Sequence, residues 1–127
     1  QFGAVAYRWK TQFNENSKAS AFSHVFSEIN HNEIVSYQSM SRDKFLAIII
    51  RDNFDDERIK KRMDITKEII SQKVNVEEVY TKGTYLLSRL FSGLHYADFA
   101  SYYLAVQNNI DPTPVHVIEN LKKRLGK

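Results

Sequence analysis

Cysteine is absent from all 127 residues, which excludes disulfides and thiolate metal sites and permits a reducing compartment. Glycine stands only at positions 3, 83, 93 and 126, so neither Gly-x-Gly-x-x-Gly nor a P-loop can be written on this chain. Nucleotide binding by those routes is excluded, and a Ser nucleophile elbow is missing too. The longest apolar run, Phe45 to Ile50, falls far short of the ~18 residues a membrane span needs. No signal-peptide pattern opens the chain, so no membrane partner is expected. The first residue is Gln1 rather than Met, and the chain is expected to be one domain of a longer protein.

Charge of one sign is also scarce, with a net charge of +3. The cations Arg58, Lys60, Lys61 and Arg62 are offset by Asp55, Asp56, Glu57 and Asp64; a second basic group, Lys122, Lys123, Arg124 and Lys127, closes the chain. A nucleic-acid binder would more often carry a basic stripe without such compensation, so no nucleic-acid partner is expected. A single phosphate needs far less positive charge.

What is present is a globular composition, 43% apolar and 13% aromatic, long enough for one domain with its own core. Val5 to Ala19 reads as a helix with Val5, Trp9, Phe13 and Asn16 on one face. Ser20 to Ser27 reads as an irregular piece, and Ser27 to Tyr37 as a short helix capped by Ser27. Phe45 to Ile50 (FLAIII) is apolar without alternation, as in a strand covered on both faces of a parallel sheet. Asp55 to Lys73 reads as a helix that buries Ile59, Met63, Thr66 and Ile70. Val74 to Tyr80 alternates partly and reads as a strand nearer an edge.

Gly83 and Thr84 open a long helix to Gln107 that is apolar nearly all round. Leu86, Leu87, Leu90, Phe91 and Leu94 lie on one side, with Tyr96, Phe99, Tyr103 and Val106 on others. The second side needs a surface from another domain or subunit. Thr113 is expected to cap a final helix, Val115 to Leu125, with Pro114 in its first turn. This order predicts an α/β domain, with part of the sheet lying upstream of Gln1 or at the very start.

Two titratable groups stand out. Glu15 lies in an Asn-Glu-Asn triplet and His31 in an Asn-His-Asn triplet. Taken singly, Glu15 reads as a solvated charge paired with Lys18 at i+3, or as a general base. His31 reads as a packed or capping residue, or as an acid/base group. No two histidines have the His-x-x-x-His spacing of a helical metal site, and His31 with Glu33 lacks a third ligand. Asp98, inside an apolar helix, must be paired or capped or lie near a site. Lys122 reads as part of a solvated basic helix end.

Three segments, RWKTQFNEN, EINHNEIV and DPTPVHVIENLKKRL, resemble the C-terminal domain of the bifunctional phosphoglucose/phosphomannose isomerases. The resemblance covers nearly the whole chain. It implies a sugar-isomerase (SIS) domain, a three-layer α/β/α sandwich around a parallel sheet, in an enzyme of two such domains. The implied reaction interconverts glucose 6-phosphate or mannose 6-phosphate with fructose 6-phosphate without a metal or other cofactor, in the cytoplasm. Glu15 is implied as the base that moves a proton between C1 and C2. His31 is implied to open the sugar ring in the partner subunit of a homodimer, and Lys122 matches a site lysine, with Lys123 beside it. The chain departs from the family at Ala97, where Gly is more common before Asp98, and at Ser20 and Ser27, where Pro is.

The family's phosphate-binding Ser/Thr loop and an active-site Arg belong to the N-terminal SIS domain. The isolated chain is therefore expected to have little isomerase activity. The other readings are a sugar-phosphate sensor module and a plain dimerisation unit.

Overall fold

A computed structural model describes residues 2–126. The elements run α1 (Gly3–Asn16), α2 (Phe26–Ile29), a 3-10 helix (Glu33–Ser39), β1 (Leu46–Arg51), α3 (Glu57–Ile70), β2 (Asn75–Tyr80), α4 (Leu86–Gln107) and α5 (His116–Arg124). β1 and β2 pair in parallel, with Leu46 opposite Asn75 and Arg51 opposite Tyr80. Their crossover is α3, as a parallel pair requires. α3 starts where Asp56 accepts a hydrogen bond from the Arg58 amide at 2.9 Å, with Glu57 complementing the helix dipole.

The α/β/α layering expected from the sequence is present around this two-stranded sheet. On one face Ile48, Ile50 and Val79 pack against buried Val5, Trp9 and Ala97 of α1 and α4. On the other face Arg51 binds Glu78 at 2.6 Å and also Asp64 of α3. Lys67 of α3 reaches Glu78 at 2.5 Å. Burial by itself would raise the Glu78 carboxyl, but Lys67 and Arg51 outweigh it and hold it below the usual carboxylate range. Among the described residues no helix is long and apolar enough to cross a membrane.

α1 and α4 run parallel. Trp9 Nε1 donates to the Gly93 carbonyl at 2.7 Å, Gln12 donates to Asp98, and Asn16 donates to the Ser101 hydroxyl at 2.9 Å. The residues α4 buries are small: Gly93, Ala97, Ser101 and Ala105, spaced by four. Without bulky side chains there, α1 approaches closely enough for Trp9 to reach a main-chain carbonyl. Of the side expected to pack inward, Leu90 and Leu94 do pack against the core, whereas the fully buried positions are the small ones and Leu86, Leu87 and Phe91 are exposed. Phe91 is 61% exposed and Tyr103 also 61%, with Leu87, Phe99, Tyr102 and Val106 exposed along the same helix.

Two further expectations change. Ser27 caps nothing, because the chain over 26–39 forms α2 and a separate 3-10 helix divided at Asn30–Asn32. α5 begins at His116 with Val115 before it, and no side chain caps it. Instead the Thr113 amide donates to Asp111 at 2.9 Å.

Candidate functional site

Glu15 sits one residue before the end of α1, at the flank of the face that buries Val5, Trp9 and Gln12, and is exposed. Its neighbours anchor the backbone. Asn14 donates to the Ala19 carbonyl at 2.9 Å, Asn16 holds Ser101 of α4, and Ser17 donates to the Ser101 carbonyl at 2.7 Å. Ser101 itself is fully buried. The triplet thus pins both flanks of Glu15 and leaves its carboxylate turned outward.

Lys18 makes a connection that spacing alone does not reveal. It adopts a left-handed conformation, φ 54°. Its ammonium donates to the Glu15 carbonyl oxygen at 2.7 Å and to the Pro112 carbonyl at 3.2 Å. The side-chain pair expected at i+3 is replaced by this main-chain tie. It joins the end of α1 to the loop that starts α5. In that loop the Thr113 amide and hydroxyl, together with the Lys18 charge, hold the Asp111 carboxyl below its ordinary range.

Lys122 lies in the last turn of α5 beside Lys123 and Arg124. No residue of α5 is buried, and Val117, Ile118, Leu121 and Leu125 are exposed. The helix follows the loop that Lys18 ties to the end of α1.

His31 is held elsewhere. Its amide donates to the Glu28 carbonyl at 2.9 Å, closing the turn after α2. Asn30 donates to the Thr66 hydroxyl of α3 at 2.9 Å and accepts from Arg62 at 3.1 Å. Asn32 accepts from the Glu33 amide at 2.5 Å and donates to the Glu28 carboxylate at 2.6 Å. The imidazole between these two asparagines is exposed. Glu33, once a possible companion of His31, pairs with His24 at 2.5 Å. Among the described residues no three His, Cys, Asp or Glu side chains gather as a metal site would require.

The three residues therefore do not form one cluster within the chain. Glu15 belongs to the α1–α4 layer, where Lys18 ties it to the root of α5. His31 leans on α3, across the sheet. Val5 packs near Thr81 at the carboxyl end of β2, and Glu15 lies ten residues, about 15 Å, further along α1.

A second polar cluster does lie outside the carboxyl ends of the strands. The Asp52 side chain is 1% exposed and accepts from Arg89 at 2.8 Å. It also accepts from the Thr81 hydroxyl at 2.9 Å and the Phe54 amide at 2.7 Å. Arg89 stacks over the Phe54 ring at 4.1 Å and donates to the Thr84 carbonyl at 3.0 Å. Burial raises the Asp52 carboxyl; the Phe54 amide, Arg89 and Thr81 together outweigh it and hold it low. Every polar atom of this carboxylate is engaged within the fold, so the cluster fastens both strand ends to α4.

The profile of a family described as the bacterial phospho-glucose isomerase C-terminal SIS domain matches residues 1–125. The chain is 42% identical over 126 residues to the bifunctional phosphoglucose/phosphomannose isomerase of Thermoplasma volcanium, covering 98% of this chain and 40% of that protein. It is 43% identical over 126 residues to the enzyme of the same name from Caldicellulosiruptor bescii, covering 97% and 37%. A more distant relative is the D-glucosamine-6-phosphate 4-epimerase of Sulfolobus acidocaldarius, 30% identical over 120 residues, covering 94% and 36%. The chain thus spans about two-fifths of the length of the first of these relatives.

Proposed function

Since the chain belongs to the bacterial phospho-glucose isomerase C-terminal SIS domain family, we propose that it supplies the proton-transfer half of a hexose-phosphate isomerase. The substrates are glucose 6-phosphate and mannose 6-phosphate, interconverted with fructose 6-phosphate. Glu15 is the general base. Its carboxylate takes the proton from C2 of the open-chain aldose as the C1 carbonyl becomes an enediol, and returns it to C1 to give the ketose. Lys122 stabilises negative charge on the enediolate oxygen. His31 opens the sugar ring by moving a proton from the anomeric hydroxyl to the ring oxygen.

The observation that carries this reading is the support of Glu15. Asn14, Asn16 and Lys18 fix the main chain around it and tie it to the root of the helix bearing Lys122, while its carboxylate stays open to a substrate. Oriented groups of this kind contribute through positioning, where small displacements are costly. The remainder of the site, including the phosphate anchor, comes from an N-terminal SIS domain. His31, across the sheet from Glu15, serves the site of a second copy in a homodimer. The exposed aromatic side of α4 and the apolar stripe of α5 are surfaces for those two partners.

The enediol step is tested by running the full two-domain protein in D2O with fructose 6-phosphate. Deuterium should appear at C2 of the aldose product. The label enters because the proton held on Glu15 exchanges with solvent in competition with its return to the sugar; labelled product formed at the wild-type rate by Glu15→Gln would remove Glu15 from its role.

A further inference from the structure

The face that carries His31 also carries an open hollow of about 540 Å³, between α3 and the Asn30–Ile34 segment. Arg58, Lys61 and Arg62 line its basic side, and Ile34, Ile65 and Ile69 its apolar side. The spacing 58, 61/62, 65, 69 is one stripe of α3, turned away from the sheet. Asn30, which immediately precedes His31, forms part of the wall and is held by Arg62 and Thr66.

Apart from Glu68, one turn beyond Ile65, the acidic groups near this stripe are engaged elsewhere. Asp64 binds Arg51 and Glu57 binds Lys60. Glu33 binds His24, Glu28 accepts from Asn32, and Asp55 accepts from the Asp52 amide. Among the described residues none of Arg58, Lys61 and Arg62 forms an ion pair. The compensation seen in the sequence around residues 55–64 is therefore spatially unequal: the anions serve the sheet and the helix cap, and three cations converge on one concavity. Its volume falls within the range of small-molecule sites, and it is open to solvent.

We infer that this hollow is a binding site for a hexose phosphate, with Arg58, Lys61 and Arg62 taking the phosphoryl group and Ile34, Ile65 and Ile69 the carbon face of the sugar. A phosphate monoester offers close to two negative charges and a set of acceptor oxygens, which guanidinium forks match well. The choice of a hexose phosphate rests on the reading of the chain as part of a hexose-phosphate isomerase; the anion site itself does not. The site lies on the His31 face, across the sheet from Glu15 of the same chain.

The test is a titration of the 127-residue chain, followed through amide resonances, with glucose 6-phosphate, inorganic phosphate and glucose at low ionic strength. Glucose 6-phosphate should shift Asn30, Lys61, Arg62 and Thr66 saturably, bind more tightly than inorganic phosphate, and weaken with added salt. Glucose should do nothing. The double variant Arg58→Ala/Lys61→Ala changes two exposed side chains that hold nothing else in the fold. It should weaken binding about tenfold or more, the loss expected for one charge-assisted hydrogen bond, with an unchanged melting temperature. Lys61→Gln alone should weaken it several-fold.

Absence of saturable shifts overturns the site. So does wild-type affinity in the double variant. Equal affinity for inorganic phosphate and glucose 6-phosphate overturns the sugar-phosphate assignment. A full-length Glu15→Gln enzyme with undiminished turnover would sink the isomerase reading while leaving this binding measurement untouched, so the two failures are distinguishable.

Discussion

Replacing Arg89 by Met strands the Asp52 carboxylate. The Asp52 side chain is 1% exposed and that of Arg89 11%, and they meet at 2.8 Å. Thr81 and the Phe54 amide remain after the substitution, but the compensating charge is gone. Removing one partner of a buried pair destabilises by about 3–5 kcal/mol, against a total of about 5–15 kcal/mol for a domain. The chain's one tryptophan, Trp9, is 6% exposed and reports unfolding, so urea titrations can be followed by its fluorescence.

The pH dependence fixes the mechanism. In the wild type Asp52 is held below its ordinary value, so its contribution is present at neutral pH. That contribution is lost as pH falls below about 4 through the folded value. In Arg89→Met, burial is no longer opposed by the guanidinium, and Asp52 protonates more readily in the folded state. The deficit relative to wild type should therefore be largest at neutral pH and shrink on acidification. Adding Asp52→Asn to Arg89→Met should recover part of the loss, because no charge is left to strand. A loss under about 1 kcal/mol at neutral pH, or a deficit that grows on acidification, would refute the assignment of this pair as the fastener between strand ends and α4.

Gly93→Ala tests the close approach of α1 to α4. An added Cβ would lie 2.9 Å from Val5 Cγ1, a stiff β-branched neighbour. Overpacking of about 1–3 kcal/mol should outweigh the ~1 kcal/mol that alanine gains in a helix, lowering the urea midpoint; a raised midpoint contradicts the packing. For the full enzyme, prolonged dialysis against EDTA should leave turnover unchanged, and a loss restored by added metal would contradict the proposed metal-free proton transfer. Mixing Glu15→Gln subunits with His31→Ala subunits should restore roughly a quarter of wild-type activity, since random pairing in a two-fold dimer gives one intact site per mixed dimer. Continued inactivity of the mixture means that His31 does not act across the dimer.

Local pattern made much of the fold legible. The apolar run at Phe45–Ile50 became β1, and the stripe Met63, Thr66, Ile70 is the buried side of α3. The long helix was legible as a helix but not in its orientation. Its largest side chains carry the strongest periodic signal, yet helix–helix distance selected Gly93, Ala97, Ser101 and Ala105 for burial. The helix expected over 27–37 breaks because Asn30 and Asn32 spend their side chains on Thr66 and on the Glu33 amide, bonds that compete with helical ones.

Of the candidate site, the residue types and their triplets were legible, and the family resemblance ranked them. Their separation onto two outer layers was not, because it depends on the long-range contacts of Asn16 with Ser101 and Asn30 with Thr66. Nor was the role of Lys18, whose partner at Pro112 is 94 residues away. The Asp52–Arg89 pair gave no signal because neither residue belongs to a recognisable motif. The aspartate's burial follows from β1 ending against α4.

The most direct measurement is turnover of the full two-domain protein carrying Glu15→Gln, in a coupled assay with glucose 6-phosphate and mannose 6-phosphate. Glutamine keeps the shape and removes the base. With general acid–base catalysis contributing about 10²–10⁴-fold, kcat should fall at least about a hundredfold for both sugars. Sugar-phosphate binding should remain within a few-fold of wild type. Turnover at the wild-type rate would contradict the account.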